Sequence, residues 1–441
     1  MNEAASTGAA RPVPLATERR GDLALLWLDR APANALDAGL IAALGAALAT
    51  AGRDAGVAAV LIAARGPVFS AGADPEELRR VKGAALPGLC LAIEAMAKPV
   101  VAVLQGNCLG AGLELALAAH GRIAAPVARL GLPEVALGLV PGAGGTQRLP
   151  RLIGAEGALR LLMQGNPITA AEALAAGLVD EVAEDRLIDR ALVLARRLAG
   201  APLVPAGART EGLRDGKAWQ LAVAEARKRA EAGRMPAPLR MVECVEAAQL
   251  LPFDAGLAFE RAAFEDMAES PEAQGLMHAF LAERQAIRPP AGVAGQGAVP
   301  ASVGIWGTAG TAAELARMAL SAGLRVVIAA PDRAELVPGL GRIAARQEEL
   351  VAAGQLTPSA RDADWGRLTG ATDAAALDGV DLVLVAPGAD AGALGGGQPQ
   401  VALSAPGAVA LYPATAPGGL AEVVAGADAD PAALALAHGL A

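Results

Sequence analysis

The chain has 441 residues, enough for about two or three domains, and 54% of them are apolar while only 2% are aromatic. Ala, Val, Leu and Ile must therefore fill an interior of closely packed helices and strands, which suits an α/β protein. A net charge of −9 with no basic stripe excludes nucleic acid as a partner.

From Leu23 to about Val182, short apolar runs alternate with helical patterns: LALLWL (23–28), VAAVLIAA (57–64), PVVAVL (99–104), then ELALAAHGRIAA. This rhythm predicts repeated ββα units. From about Ala191 to Arg288 the pattern is wholly helical, with charged stripes in EARKRAEAGR and Ser270 as a helix cap before Pro271 and Glu272. The segment RPPAGVAGQGAVPAS (288–302) reads as a linker, placing a boundary near residue 300. Beyond it SVGIWG predicts a strand, TAAELARMALSAG a helix, LRVVIAA a second strand and DLVLVAP a later one, a Rossmann-like βαβ arrangement. The expected divisions are 1–190, 191–290, a linker at 291–302, and 303–441.

Cys90, Cys108 and Cys244 lack CxxC spacing, so they read as buried thiols in a reducing compartment, without a metal site. The opening MNEAASTGAARPVP has no secretory pattern, and the chain has no long strongly apolar run, so a cytoplasmic protein without a membrane partner is expected.

Three stretches carry the chemistry: FSAGAD (69–74), LGAGLEL (109–115) and LPEVALGLVPGAGGTQRL (132–149). Each puts glycine at a turn beside a polar group, so backbone can approach a ligand and N–H groups at a helix start can face a developing negative charge. Glu114 and Glu134 could serve as base and acid. Alone, Glu114 reads as a residue complementing a helix dipole; the ordered set carries the catalytic reading. Asp74 either orients its loop or caps the helix of PEELRR. His120 reads as structural, and His278 and His438 assemble with no Ser or Cys nucleophile.

These stretches resemble the signature regions of the crotonase (enoyl-CoA hydratase/isomerase) superfamily, specifically the hydratase half of fatty-acid-oxidation multifunctional enzymes. The resemblance implies a crotonase-like ββα spiral core over 1–190 and backbone oxyanion donors at Ala73 and Ala111. It implies Glu114 and Glu134 as the catalytic pair that adds water across the 2,3 double bond of an enoyl-CoA thioester, giving a 3-hydroxyacyl-CoA, with Glu134 protonating carbon. Ala71, Gly72, Asp74, Gly110, Pro141, Gly142 and Gly144 would bind substrate. Coenzyme A is then part of the acyl-CoA substrate and no cofactor is required. The alternatives are a Δ3,Δ2-enoyl-CoA isomerase, which uses one carboxyl, and a noncatalytic CoA-binding or assembly subunit. A monomer or small homo-oligomer is expected, able to associate with other β-oxidation enzymes.

Residues 191–290 resemble the helical connector of the multifunctional enzymes, and SVGIWGTAGTAAELA resembles the opening of a 3-hydroxyacyl-CoA dehydrogenase. Here G-x-G-x-x-G reads Gly307, Ala309 and Ala312, and a Cβ at Ala309 would crowd a dinucleotide pyrophosphate. Ala330 stands where a ribose-binding acid is expected, with Asp332 two residues late, and Tyr412 in ALYPA (410–414) stands near the place of the family's histidine. The helical domain that completes such dehydrogenases is not met before Ala441. A degenerate Rossmann-like domain that binds no NAD and has lost dehydrogenase activity is expected.

Overall fold

The computed structural model describes residues 14–74, 85–286, 299–395, 397–403, 409–412, 422–425 and 430–440. The opening segment, the PEELRR helix, most of the expected linker and the end of ALYPA lie outside the described residues. The chain forms two compact units, Met1–Ala282 and Glu283–Ala441.

In the first unit β1 (Leu15–Arg20) and β2 (Leu23–Leu28) form an antiparallel hairpin, and β2 coincides with the LALLWL run. Then follow α1 (Ala38–Arg53), β3 (Ala59–Ala64), α2 (Leu86–Glu94), β4 (Val100–Leu104), β5 (Asn107–Leu109), α3 (Ala111–Ala118), β6 (Gly121–Ala124) and β7 (Arg129–Gly131). After them come α4 (Gly145–Gln164), β8 (Ile168–Thr169), α5 (Ala170–Ala175), β9 (Glu181–Val182) and α6 (Leu187–Ala199). The main sheet runs β1-β2-β3-β4-β6-β9 and is parallel from β2 onward. Its central strands are apolar on both faces because both are covered. Leu61, Val101 and Val103 pack against Leu194 and Ala195 of α6, while Val60, Ile62 and Ala102 face the main core. A small sheet, β5-β7-β8, carries the chain into the start of α3.

Helices α7 (Gly216–Glu231), α8 (Ala237–Leu250), α9 (Phe253–Ala268) and α10 (Pro271–Ala286) complete this unit. Ser270 caps α10, its Oγ accepting from Ala273 N at 3.2 Å. These helices are not a separate connector, and the division expected at residue 190 is corrected accordingly. Trp219, Met241, Val242, Val245 and Ala263 belong to the same core as Leu113, Leu139 and Leu161. Burying a Met or Val side chain contributes about 1.5–3 kcal/mol, so α8 gains more by docking on α4 than by standing apart. The first unit's contacts end at Ala282 rather than near residue 300.

The second unit contains β10 (Ser302–Trp306), α11 (Ala312–Ser321), β11 (Arg325–Ala329), α12 (Arg333–Ala352), α13 (Pro358–Trp365) and β12 (Leu368–Ala371). It ends with β13 (Leu382–Val385), β14 (Gln400–Leu403), β15 (Val409–Tyr412), β16 (Glu422–Ala425) and α14 (Pro431–Leu440). The strand order is β12-β11-β10-β13-β14-β15-β16, parallel throughout except for β16. This is the doubly wound order, with its switch point between β10 and β13. Among the described residues no helix is long and apolar enough to cross a membrane.

Candidate active site

The first loop, FSAGAD, is locked to the start of α3. Ser70 Oγ donates to Asn34 O at 2.8 Å and accepts from Gly72 N at 3.2 Å. Gly112 lies so close that a Cβ there would stand 2.7 Å from Ser70 Cβ. Gly72 has φ +102°, and a Cβ on it would meet Leu109 O at 3.1 Å and Gly110 Cα at 3.8 Å. The two expected oxyanion loops are therefore in backbone contact. Hydrogen bonds from Leu36 N to Gly72 O (2.8 Å) and from Asp74 N to Leu36 O (3.0 Å) hold Ala73 extended between them. The N–H groups of Ala73 and Ala111 donate to no acceptor among the described residues. Asp74 pairs with Arg30 at 2.8 Å, and Arg30 also grips Asp37, the cap of α1, at 3.0 Å. Asp74 thus braces the loop; the helix it was expected to cap is not described.

Glu114, in the first turn of α3, is 3% exposed. The sequence suggests that its own helix start favours its charge, but its partners come from elsewhere. Oε1 accepts from Ala143 N at 2.7 Å and Gly145 N at 2.9 Å, at the start of α4. Burial raises its carboxyl above the ordinary range, while these N–H groups and the charge of Arg148 pull it back. Buried carboxylates are tolerated where donors meet them in this way.

Glu134 sits in a 3-10 turn, Pro133–Leu137, closed by Gly138 at φ +68°. The residue is half-buried, yet its Oε2 is closed off from solvent and has no hydrogen-bond partner among the described residues. Its carboxyl lies over the start of α3: a Cβ on Gly110 would stand 3.1 Å from Oε1. Burial first, then the charge of Glu114, hold Glu134 well above the usual carboxylate range. The two carboxyls share a site in unequal surroundings, one gripped by two N–H donors of α4 and one with an Oε2 that has no partner among the described residues, the arrangement that separates a base from an acid.

The 140–148 loop brings in residues the sequence did not point to. Glu260 of α9, 1% exposed, accepts from Gly144 N at 2.5 Å, Thr146 N at 2.7 Å and Thr146 Oγ1 at 2.5 Å. Burial and the charge of Glu114 push its carboxyl up to about 8. A signal exists for it: Gly256, Glu260, Ala263 and Met267 form the buried stripe of α9, so an acid stands where helical periodicity calls for an apolar residue. Arg148, fully buried, donates to Ala143 O at 2.6 Å and Glu94 at 2.8 Å. Gly144, at φ +101°, leaves it room, since a Cβ there would fall 1.7 Å from Nη1. Pro141 and Gly142 border the same turn, Pro141 against Gly145 and Gly142 against Phe264. Ala71 is an exposed residue of the first loop, its N–H donating to Ala33 O. His120 Nδ1 accepts from Val100 N at 3.1 Å, in the structural role expected. The three thiols are buried, and burial pushes that of Cys90 up to about 12.

In the second unit, the turn after β10 is tied to the start of α12. Thr308 N donates to Glu335 Oε1 at 3.0 Å. Thr308 Oγ1 donates to Glu335 O at 3.2 Å, and Arg342 donates to Thr308 O at 2.5 Å. Gly307 keeps its positive φ, while Ala309 and Ala312 carry the Cβ atoms noted above. Asp332 caps α12, accepting from Glu335 N at 2.9 Å. No group of three or more His, Cys, Asp or Glu is arranged to hold a metal among the described residues.

The Enoyl-CoA hydratase/isomerase family model matches residues 18–229, which contain SAGAD, Glu114 and Glu134. A Bacillus subtilis (strain 168) protein named "Probable enoyl-CoA hydratase" is 43% identical over 187 residues, 40% of this chain and 72% of that protein. The chain belongs to the enoyl-CoA hydratase/isomerase family. Another relative, the "Peroxisomal bifunctional enzyme" of Danio rerio, is 40% identical over 274 residues, 60% of this chain. The chain spans only 37% of that enzyme's length. The crystal structure of carnitinyl-CoA hydratase from Mycobacterium avium shares 31% identity, covers 62% of this chain and 98% of that one, and has a TM-score of 0.47. Within this enoyl-CoA hydratase/isomerase chain, Glu260 lies beyond the residues that the family model matches.

Proposed function

We propose that the chain is an enoyl-CoA hydratase acting on the thioester of an α,β-unsaturated acyl-CoA. The observation that carries this reading is the pair of unequal carboxyls, Glu114 and Glu134, with the N–H groups of Ala73 and Ala111, which donate to no acceptor among the described residues. The thioester oxygen accepts from both N–H groups, and each such donor lowers the barrier by roughly 2.7–4 kcal/mol as enolate charge develops. Glu114, gripped by Ala143 and Gly145, stays charged and takes a proton from water as its oxygen bonds to C3. Glu134 delivers a proton to C2, and a proton returned from Glu114 restores the pair; the sum is addition of one water with no redox change. An isomerase needs one carboxyl, so a second one in place favours hydration over that reading. A noncatalytic CoA-binding subunit would have no need to keep a carboxyl oxygen closed off from solvent with no partner among the described residues.

The test is loss of crotonyl-CoA absorbance on adding the protein. Glu114→Gln and Glu134→Gln are each expected to lower turnover by about two to four orders of magnitude. A mild effect from either refutes the pair.

The second unit is proposed to bind no NAD and to have no dehydrogenase activity, supported by the carboxylate of Glu335 in the turn. A cytoplasmic monomer or small homo-oligomer, associating with other β-oxidation enzymes, completes the proposal. Light scattering and cell fractionation check it, a relevant contrast because several relatives bear peroxisomal names.

A further inference from the structure

Four successive N–H groups at the start of α4 are shared between two buried carboxyls from distant parts of the chain. Ala143 and Gly145 donate to Glu114; Gly144 and Thr146 donate to Glu260. Neighbouring peptides point to opposite sides of the turn, so the orientation of one pair fixes that of the other. We propose that Glu260 is a positioning residue for the hydration site: by holding the Gly144 and Thr146 N–H groups it fixes the turn whose remaining two N–H groups grip Glu114. This inference rests on the hydratase reading.

A packing role alone does not account for Glu260. It occupies the apolar stripe of α9, where Leu or Met would dock without desolvating a carboxyl. Among the described residues no cation pairs with it: Arg148, which feels its charge, is committed to Glu94 and Ala143 O. The groups acting on it or feeling its charge come from every side: Glu114 of α3, Thr146 and Arg148 of α4, Cys90 of α2, Cys244 of α8 and Glu134 of the 3-10 turn. Once Glu260 ionises, its charge holds Glu134 up further, so the positioning residue also bears on the proton that Glu134 would deliver.

The experiment uses the full chain with Glu260→Gln, and Thr146→Ala as a second variant that removes only the hydroxyl bond to Glu260. Circular dichroism establishes folding. With crotonyl-CoA, Glu260→Gln is expected to lower kcat by about 10- to 100-fold with KM changed less than about 3-fold, because a grip made on the reacting geometry is lost rather than substrate binding. The alkaline limb of its pH profile moves to lower pH. In the 13C NMR titration of glutamate-labelled protein, the carboxyl titrating at highest pH, assigned by its absence in Glu134→Gln, moves to lower pH in Glu260→Gln. It moves less, in the same direction, in Thr146→Ala. If Glu260→Gln keeps kcat within about 2-fold, or loses activity only in proportion to unfolded protein with the titration in place, the inference is overturned. Should the unaltered protein leave crotonyl-CoA untouched, the hydratase reading fails, and the NMR titration by itself still decides whether Glu260 governs the carboxyl pair.

Discussion

Replacing Gly110 by alanine perturbs the site at a single carbon. Gly110 precedes α3 at φ 52°, ψ −128°, a combination that L side chains rarely adopt. Holding alanine there costs roughly 1–3 kcal/mol of stability. The added Cβ would also stand 3.1 Å from Glu134 Oε1 and 3.9 Å from Gly72 Cα, closer to the carboxyl than ordinary contact allows. Either the Glu134 carboxyl moves or the FSAGAD loop and the start of α3 part by several tenths of an ångström. A misplacement of about 1 Å costs on the order of 100-fold in rate, equivalent to about 2.7 kcal/mol of barrier. Gly110→Ala is thus expected to melt lower but remain folded at 25 °C, and to turn over crotonyl-CoA about 100-fold more slowly at saturation. The assay is the absorbance loss at saturating substrate alongside a thermal melt. A variant with turnover within about 3-fold of the parent, whatever its melting point, would show that neither Glu134 nor the loop contact sets the rate.

Three further outcomes are expected. Arg148→Met removes the cation paired with the largely buried Glu94 carboxylate, which keeps the Gly207 N–H, and takes the guanidinium donor from Ala143 O, so urea denaturation should show a loss of about 3–5 kcal/mol. The raised carboxyl of Glu260 keeps its proton in the folded protein from its ordinary 4.5 up to about 8, a window in which the unfolded chain has released it. Its contribution to stability is therefore full below 4.5 and lost as pH rises through about 8, with the same sign for Glu114 and Glu134. Urea midpoints should fall from pH 5 to pH 8, and less steeply in Glu260→Gln. Isothermal titration with NAD should give no binding heat, and NAD with a 3-hydroxyacyl-CoA no NADH; either signal would refute the reading of the Thr308–Glu335 turn.

Local signals in the sequence proved informative where chemistry and backbone are tied together. LALLWL is β2 to the residue, and SVGIWG opens the doubly wound sheet of the second unit. The glycines of SAGAD and GAGLE lie at the close contact between the loops, as their small size required. Legibility ended where partners are distant. Nothing near Glu114 in the sequence says that its carboxyl is held by residues 143 and 145. The helical region likewise shows amphipathic faces without saying that the core they join is the one around α4. Glu260 is hard to see in the sequence because a single acid in a charge-rich helix looks solvated unless it is set in register with Gly256, Ala263 and Met267.

The late helices reach both halves of the carboxyl pair. Glu260 of α9 ties the turn that grips Glu114, and Ala273 of α10 backs the turn bearing Glu134, where a Cβ on Gly138 would meet Ala273 Cα at 3.1 Å. Domains generally fold from the N-terminus as they leave the ribosome. The main sheet has all of its strands once residue 182 has emerged, but the carboxyl pair must wait for almost a hundred residues more. A nascent chain is thus shaped before it is armed, and completion of the first unit's last helix is the event that readies its chemistry.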